Sequence, residues 1–130
     1  MKMYKILLVD DDHEILTVID LALVRKGYQV TTASSGKAAV DALGVTDFDL
    51  VLTDLDMPEV DGLAVLKKAK ELDLDRGVMI MTGNASQESA INALRLGADD
   101  YLLKPFSVPA LWDRVASCLD RSEVRRNARS

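Results

Sequence analysis

Short apolar runs alternate with amphipathic stretches along the chain. Residues 6–9 form a continuous apolar run, the pattern of a strand buried on both faces; residues 49–53, through Leu50, Val51 and Leu52, and residues 78–81 repeat it. Residues 29–33 are rich in β-formers with polar alternate positions, which suits a strand with one less buried face. Residues 101–103 make a last short strand. Between these runs the spacing turns helical. Residues 14–26 carry Ile15, Val18, Ile19, Ala22 and Leu23 on one predicted face, and Gly27 stops the helix. Residues 35–43 predict a helix with Ala38, Ala39, Ala42 and Leu43 inward, ended by Gly44. Met57 and Pro58 break the chain, and Asp61 can then cap a helix running to about residue 72, with Leu63, Leu66 and Ala69 inward. Residues 86–96 predict a helix that turns Ala90, Ile91 and Leu94 to the core and ends at Gly97. Ser107 can cap a final helix to about residue 120, with Leu111, Val115, Cys118 and Leu119 on one stripe.

Strands that alternate with helices imply the α/β class: a parallel sheet covered on both faces, with right-handed crossovers. In such sheets ligand sites lie beyond the carboxyl ends of the strands. The residues just past each strand are therefore informative. Asp10, Asp11 and Asp12 come after the first, Asp54 and then Asp56 after the third, Thr82 after the fourth, and Lys104 and Pro105 after the fifth.

Composition narrows the partners. The 130 residues fit one domain, with 48% hydrophobic and 28% charged residues, enough for a packed core. A net charge of −5 makes direct nucleic-acid binding or a polyanionic membrane surface a poor match. Cys118, the single cysteine, excludes an intramolecular disulfide and a cysteine-based zinc site. The apolar run at residues 6–9 is too short for a signal peptide or a membrane span, and a cytoplasmic location is expected. The last ten residues carry +3, which leaves the first 120 at −8. Residues 1–120 are thus expected to form the domain, and residues 121–130, with no apolar periodicity, a basic tail: a frayed helix end or a linker stub.

The strand ends bring Asp10, Asp11, Asp54, Thr82 and Lys104 to one cleft. Two carboxylates about 5 Å apart repel by about 3 kcal/mol at an effective dielectric of roughly 20. Such a cluster binds a cation or holds a proton. An all-oxygen, sparse ligand set suits Mg²⁺. A cation, the Lys104 ammonium and the Thr82 hydroxyl around one carboxylate make a receptor for a phosphoryl group carried by that carboxylate.

Four motifs, in order, carry a family likeness: Leu7-Leu8-Val9-Asp10-Asp11; Asp54-Leu55-Asp56-Met57-Pro58 with Asp61-Gly62; Met81-Thr82-Gly83; and Gly97-Ala98-Asp99-Asp100-Tyr101-Leu102-Leu103-Lys104-Pro105-Phe106. The sequence resembles the receiver domain of two-component response regulators, the superfamily of the chemotaxis regulators, over about residues 4–120. The resemblance implies a flavodoxin-like, doubly wound five-stranded sheet of order 2-1-3-4-5. It implies that Asp54 is the phosphoacceptor, loaded from a phosphohistidine on a histidine kinase or histidine phosphotransfer protein in a phosphorelay. Asp11, Asp54 and the backbone carbonyl of Asp56 would ligate Mg²⁺, with Asp10 acting mostly through water. Thr82 and Tyr101 would form the switch: the Thr82 hydroxyl moves toward the phosphoryl oxygens and the Tyr101 ring turns into the vacated space. The Lys104–Pro105 bond is expected cis. Asp56 and Asn84 stand at the two variable positions that in this family tune hydrolysis of the acyl phosphate, and Gly83 stands where alanine is common.

The output partner or output domain is not named by the sequence. Asp99, Asp100 and Arg114 match in part the charges of the winged-helix regulators' dimer face, which leaves a phosphorylation-dependent homodimer open. Trp112 lies to one side of the last helix's apolar stripe, as a packed flank residue or a partner contact. His13, the single histidine, reads as a solvated neighbour of a helix cap. Two other functions compete. A haloacid-dehalogenase-like Mg²⁺-dependent phosphatase also uses Asp-x-Asp after a buried strand, but Pro58 stands where that family has Thr or Val. A flavodoxin-like nucleotide or flavin binder would need a glycine-rich phosphate loop after the first strand, and the sequence has none there.

Overall fold

Five parallel strands form one sheet in the order β2-β1-β3-β4-β5. A computed structural model describes residues 2–84 and 86–129. Met1 and Ser130, the outer ends of the two predicted segments, lie outside the described residues. The strands are β1 (Lys5–Val9), β2 (Gln29–Ala33), β3 (Leu50–Asp54), β4 (Gly77–Thr82) and β5 (Asp100–Leu103). The helices are α1 (His13–Arg25), α2 (Gly36–Leu43), α3 (Gly62–Leu72), α4 (Gln87–Arg95) and α5 (Val108–Arg129). The class, the strand order and the doubly wound layers agree with the expectation.

The two-residue period of the strands divides the core. Leu7, Val9, Val51, Val78 and Ile80 face one side, where Ala39, Leu43, Val65, Leu66, Ala69 and Ala93 of α2, α3 and α4 cover them. Ile6, Leu8, Leu50, Leu52, Met79, Met81 and Leu102 face the other, under Leu16, Ile19, Leu23 of α1 and Leu111, Val115, Cys118, Leu119 of α5. β1, β3 and β4 are buried on both faces, so they read as unbroken apolar runs, whereas β2 lies at the sheet edge and alternates.

Helix starts obey capping chemistry. Asp12 accepts from the amides of Glu14 and Ile15 at α1. Ser35, Asp61 and Ser86 cap α2, α3 and α4 in the same way, and the Ser107 hydroxyl accepts from the Ala110 amide at 3.2 Å at the head of α5.

Three helical faces differ from the periodicity. In α1, Leu16 is buried and Val18 is 60% exposed, because apolar residues surround most of this helix and only the sheet contact selects a face. In α4, Ala93 alone is buried, while Ile91 and Leu94 turn to solvent. The small Ala93 lets the helix sit close to the sheet; the larger side chains would hold it away. In α2, Ala38 is exposed and Gly36, Ala39 and Leu43 carry the contact. The fourth difference is larger. α5 does not fray at residue 120 but continues to Arg129, and its last turns are tied to the body by ion pairs.

Gly62 marks the closest backbone approach near the predicted site. A Cβ there would stand 2.2 Å from the Asp54 carbonyl oxygen and 2.8 Å from the Leu55 Cα. The Gly62 amide donates to the Leu55 carbonyl at 2.9 Å, so α3 is pinned against the end of β3. Because the obstacle is backbone, Gly62→Ala is expected to cost about 3 kcal/mol and to lower the melting temperature by about 10 °C, measured by circular dichroism.

Candidate functional site

β1 and β3 are neighbours with Val9 opposite Thr53, so the next residues along, Asp10 and Asp54, emerge side by side. β4 lies on the far side of β3, and β5 beyond it pairs Leu103 with Thr82. The Lys104 amide donates to the Thr82 carbonyl at 2.8 Å, which directs the Lys104 side chain from the end of β5 back across the strand ends. Its ammonium donates to Asp10 Oδ2 at 2.8 Å and to Asp54 Oδ1 at 3.2 Å. The Lys104–Pro105 peptide is cis.

Asp10 is fully buried. Its Oδ1 accepts the Asp12 amide at 3.0 Å, so one carboxylate holds both Lys104 and the turn leading into α1. Asp54 is 7% exposed and Asp11 is exposed to solvent. Carboxylate oxygens of Asp10, Asp11 and Asp54 lie within 4.8 Å of one another. This is an all-oxygen donor set with a solvent-facing side, and it fits a hard divalent cation that retains water.

Electrostatics set the two central groups apart. Burial, and then the Asp10 charge, push the Asp54 carboxyl above the ordinary aspartate range, with Lys104 opposing in part. Burial by itself would lower the Lys104 ammonium, but the Asp10 and Asp54 carboxylates outweigh it and hold the group above its usual value. Lys104 therefore stays charged at neutral pH.

Thr82 is fully buried, and its hydroxyl lies 3.4 Å from Asp56 Oδ2 and accepts the Asn84 amide at 3.1 Å. The sequence points to Asp56 for its carbonyl and as a position that tunes hydrolysis; nothing in the spacing shows where an exposed loop carboxylate points, so its side chain is an unexpected hydrogen-bond partner of Thr82. The Tyr101 hydroxyl is buried with no hydrogen-bond partner among the described residues. Burial, and then the Asp56 charge, raise the Tyr101 phenol. Asp56 thus bonds to Thr82, and its charge also reaches the Tyr101 phenol. A Cβ at Gly83 would meet only the Lys104 Cβ, at 3.9 Å, so alanine fits there as well.

Residues 6–116 match the family model described as the response regulator receiver domain. The chain belongs to the response regulator receiver domains. It is 40% identical over 119 residues to the response regulator SaeR of Staphylococcus epidermidis strain RP62A, covering 92% of this chain and 52% of SaeR. It is 38% identical over 120 residues to the alkaline phosphatase synthesis transcriptional regulatory protein PhoP of Bacillus subtilis strain 168, covering 92% of this chain and 50% of PhoP. The chain thus spans about half the length of the curated relatives it matches. Among solved structures it is similar to a CheY-like receiver domain protein from Methanospirillum hungatei JF-1, with TM-score 0.92 and 31% identity over 95% of this chain and 99% of that one. The haloacid-dehalogenase alternative gains no support from any of these likenesses.

Other residues of this receiver domain can now be placed. Asp99 is turned inward: it accepts the Val78 amide at 2.8 Å and pairs with Lys70 and Arg125. Asp100 pairs with Arg114 of the same chain. Trp112 donates its indole N–H to the Ala22 carbonyl at 2.8 Å, and the Lys26 ammonium sits 4.7 Å above its ring, so it packs between α5 and α1. His13 is exposed. Cys118 is buried, which pushes its thiol up to about 12, and it serves as a small core residue. Among the described residues no helix is long and apolar enough to cross a membrane.

Proposed function

We propose that Asp54 is the phosphoacceptor of a two-component signalling switch, loaded by a histidine kinase or a histidine phosphotransfer protein. The observation that carries this reading is the Lys104 ammonium held between Asp10 and Asp54, at 2.8 and 3.2 Å, at the carboxyl ends of the strands. An Asp54 oxygen attacks the phosphorus of the phosphohistidine. The O–P bond forms as the N–P bond breaks, and the electron pair of that bond returns to the imidazole. Lys104 already touches the attacking carboxylate, so it can pass to a phosphoryl oxygen without crossing the cleft and offset the charge there. Water attacking the same phosphorus releases phosphate and restores the carboxylate.

Asp10, Asp11 and Asp54, with the carbonyl of Asp56, would hold Mg²⁺. When bound, the ion supplies positive charge against the repelling carboxylates and the phosphoryl oxygens. Thr82 gives up Asp56 for a phosphoryl oxygen, and the Tyr101 hydroxyl, buried and without a partner among the described residues, moves in turn. Asp56 thereby links occupancy of Asp54 to the surface formed by α4, β5 and α5. Sizing with and without beryllofluoride, a phosphoryl mimic, reads whether the loaded form pairs through that surface.

Incubation with acetyl phosphate and Mg²⁺ tests the assignment. The expected result is one phosphoryl group per chain, located on Asp54 and lost slowly; turnover of many equivalents would identify a phosphatase instead. Chelation of Mg²⁺ is expected to bring labelling to background. Acid should do the same, because ligands must be ionised. Since Asp54 sits above the ordinary range, the loss should begin at a higher pH than an unperturbed aspartate would give. A pH series of labelling yields checks this.

A further inference from the structure

The last turns of α5 are held differently from the rest of the helix. Up to Ser122 the buried positions are Leu111, Val115, Cys118, Leu119 and Ser122 itself. Beyond it the apolar contact ends: Val124 is 68% exposed. The helix continues on charge. Arg125 pairs with Asp99 Oδ1 at 2.8 Å and donates to the Asp75 carbonyl at 3.0 Å. Arg126 pairs with Asp73 Oδ2 at 2.8 Å, and Arg129 with Asp75 Oδ1. The acids are mostly buried and the arginines are one-third to more than half exposed, so the cationic side of each pair meets the solvent. Asp73 and Asp75 lie in the turn before β4, and Asp99 immediately precedes β5. These are the two strands whose opposite ends lead to Thr82 and Lys104.

We propose that residues 123–129 form an ionic latch, closed onto the feet of β4 and β5 at low salt and opened as salt rises. The physical basis is the division of forces. Apolar burial does not weaken with added sodium chloride, whereas partly exposed ion pairs are screened once the Debye length falls from about 10 Å at 0.1 M to about 3 Å at 1 M. The helix therefore has a salt-insensitive part, to Ser122, and a salt-sensitive part after it. Opening releases Arg125, Arg126 and Arg129 from their acidic partners, without disturbing the carboxylate cleft at the other end of the sheet.

Hydrogen–deuterium exchange tests this on the full chain. In the wild type, amides of residues 123–129 should be protected at low salt and lose about tenfold of that protection near 1 M sodium chloride, while those of β1 and β3 stay unchanged. The Arg126→Gln/Arg129→Gln variant should show the fast rate already at low salt and respond little to added salt. These side chains are exposed, so the variant is expected to fold, and Asp73→Asn provides an independent break from the acidic side. Equal slow exchange at both salt concentrations in the wild type, or undiminished protection in the arginine variant, would overturn the latch.

Discussion

Asp54→Ala is expected to abolish labelling by a phosphodonor while the domain remains folded. The expected drop is to background, because no other carboxylate of the cleft both touches the Lys104 ammonium and lies at the end of β3: Asp10 is fully buried at the end of β1, and among the described residues Asp11 makes no bond to Lys104. A folded variant that still takes up one phosphoryl group would remove Asp54 from its role. The same position carries a stability effect of opposite sign. Its carboxyl is raised in the folded state, so the folded protein binds that proton more readily than the unfolded chain does. The ionised form is consequently disfavoured by folding at neutral pH. Asp54→Asn removes that charge at nearly constant shape and should stabilise the domain by about 1 kcal/mol at pH 7, or roughly 3 °C. The gain should shrink as pH falls through the raised value, where the wild type becomes neutral too. Thermal melts of both proteins between about pH 4 and 7 measure it.

Lys104→Ala is expected to keep the fold but to weaken both stability and phosphotransfer. Two largely buried carboxylates lose their shared cation, and breaking a buried pair from one side typically costs about 3 kcal/mol. A melting temperature lower by about 10 °C should result at neutral pH. The rate of phosphoryl uptake should fall by roughly a hundredfold, the usual loss when one preorganised donor to a developing charge is removed. Added Mg²⁺ should restore part of the stability, since it screens the same carboxylates, but not the rate. A variant that labels and switches at the normal rate would refute the role of Lys104.

The sheet was legible because its central strands are buried on both faces. Ile6–Val9, Leu50–Leu52 and Val78–Met81 have no polar position to blur the signal. Caps were legible for a local reason: Asp61 and Ser107 act within three residues of themselves. The phase of α1 and α4 was not, since each carries more apolar residues than its contact face can bury, and the sheet alone selects among them. That Asp10, Asp11, Asp54 and Lys104 come together was legible because strand ends share one edge of a parallel sheet. Side-chain direction was not: that Thr82 turns to Asp56 depends on a loop whose path leaves no periodic trace. The end of α5 escaped for a different reason. Its arginines have partners at residues 73, 75 and 99, and ion pairs over such separations cannot be read from charge in the helix itself.

The position of Trp112 has a practical consequence. The single indole of the chain is anchored to the Ala22 carbonyl and roofed by Lys26. Its emission is a native dye for the seam between the first and last helices: it should report the loss of that seam during denaturation and remain nearly silent when a phenol ring rotates on the opposite layer of the molecule.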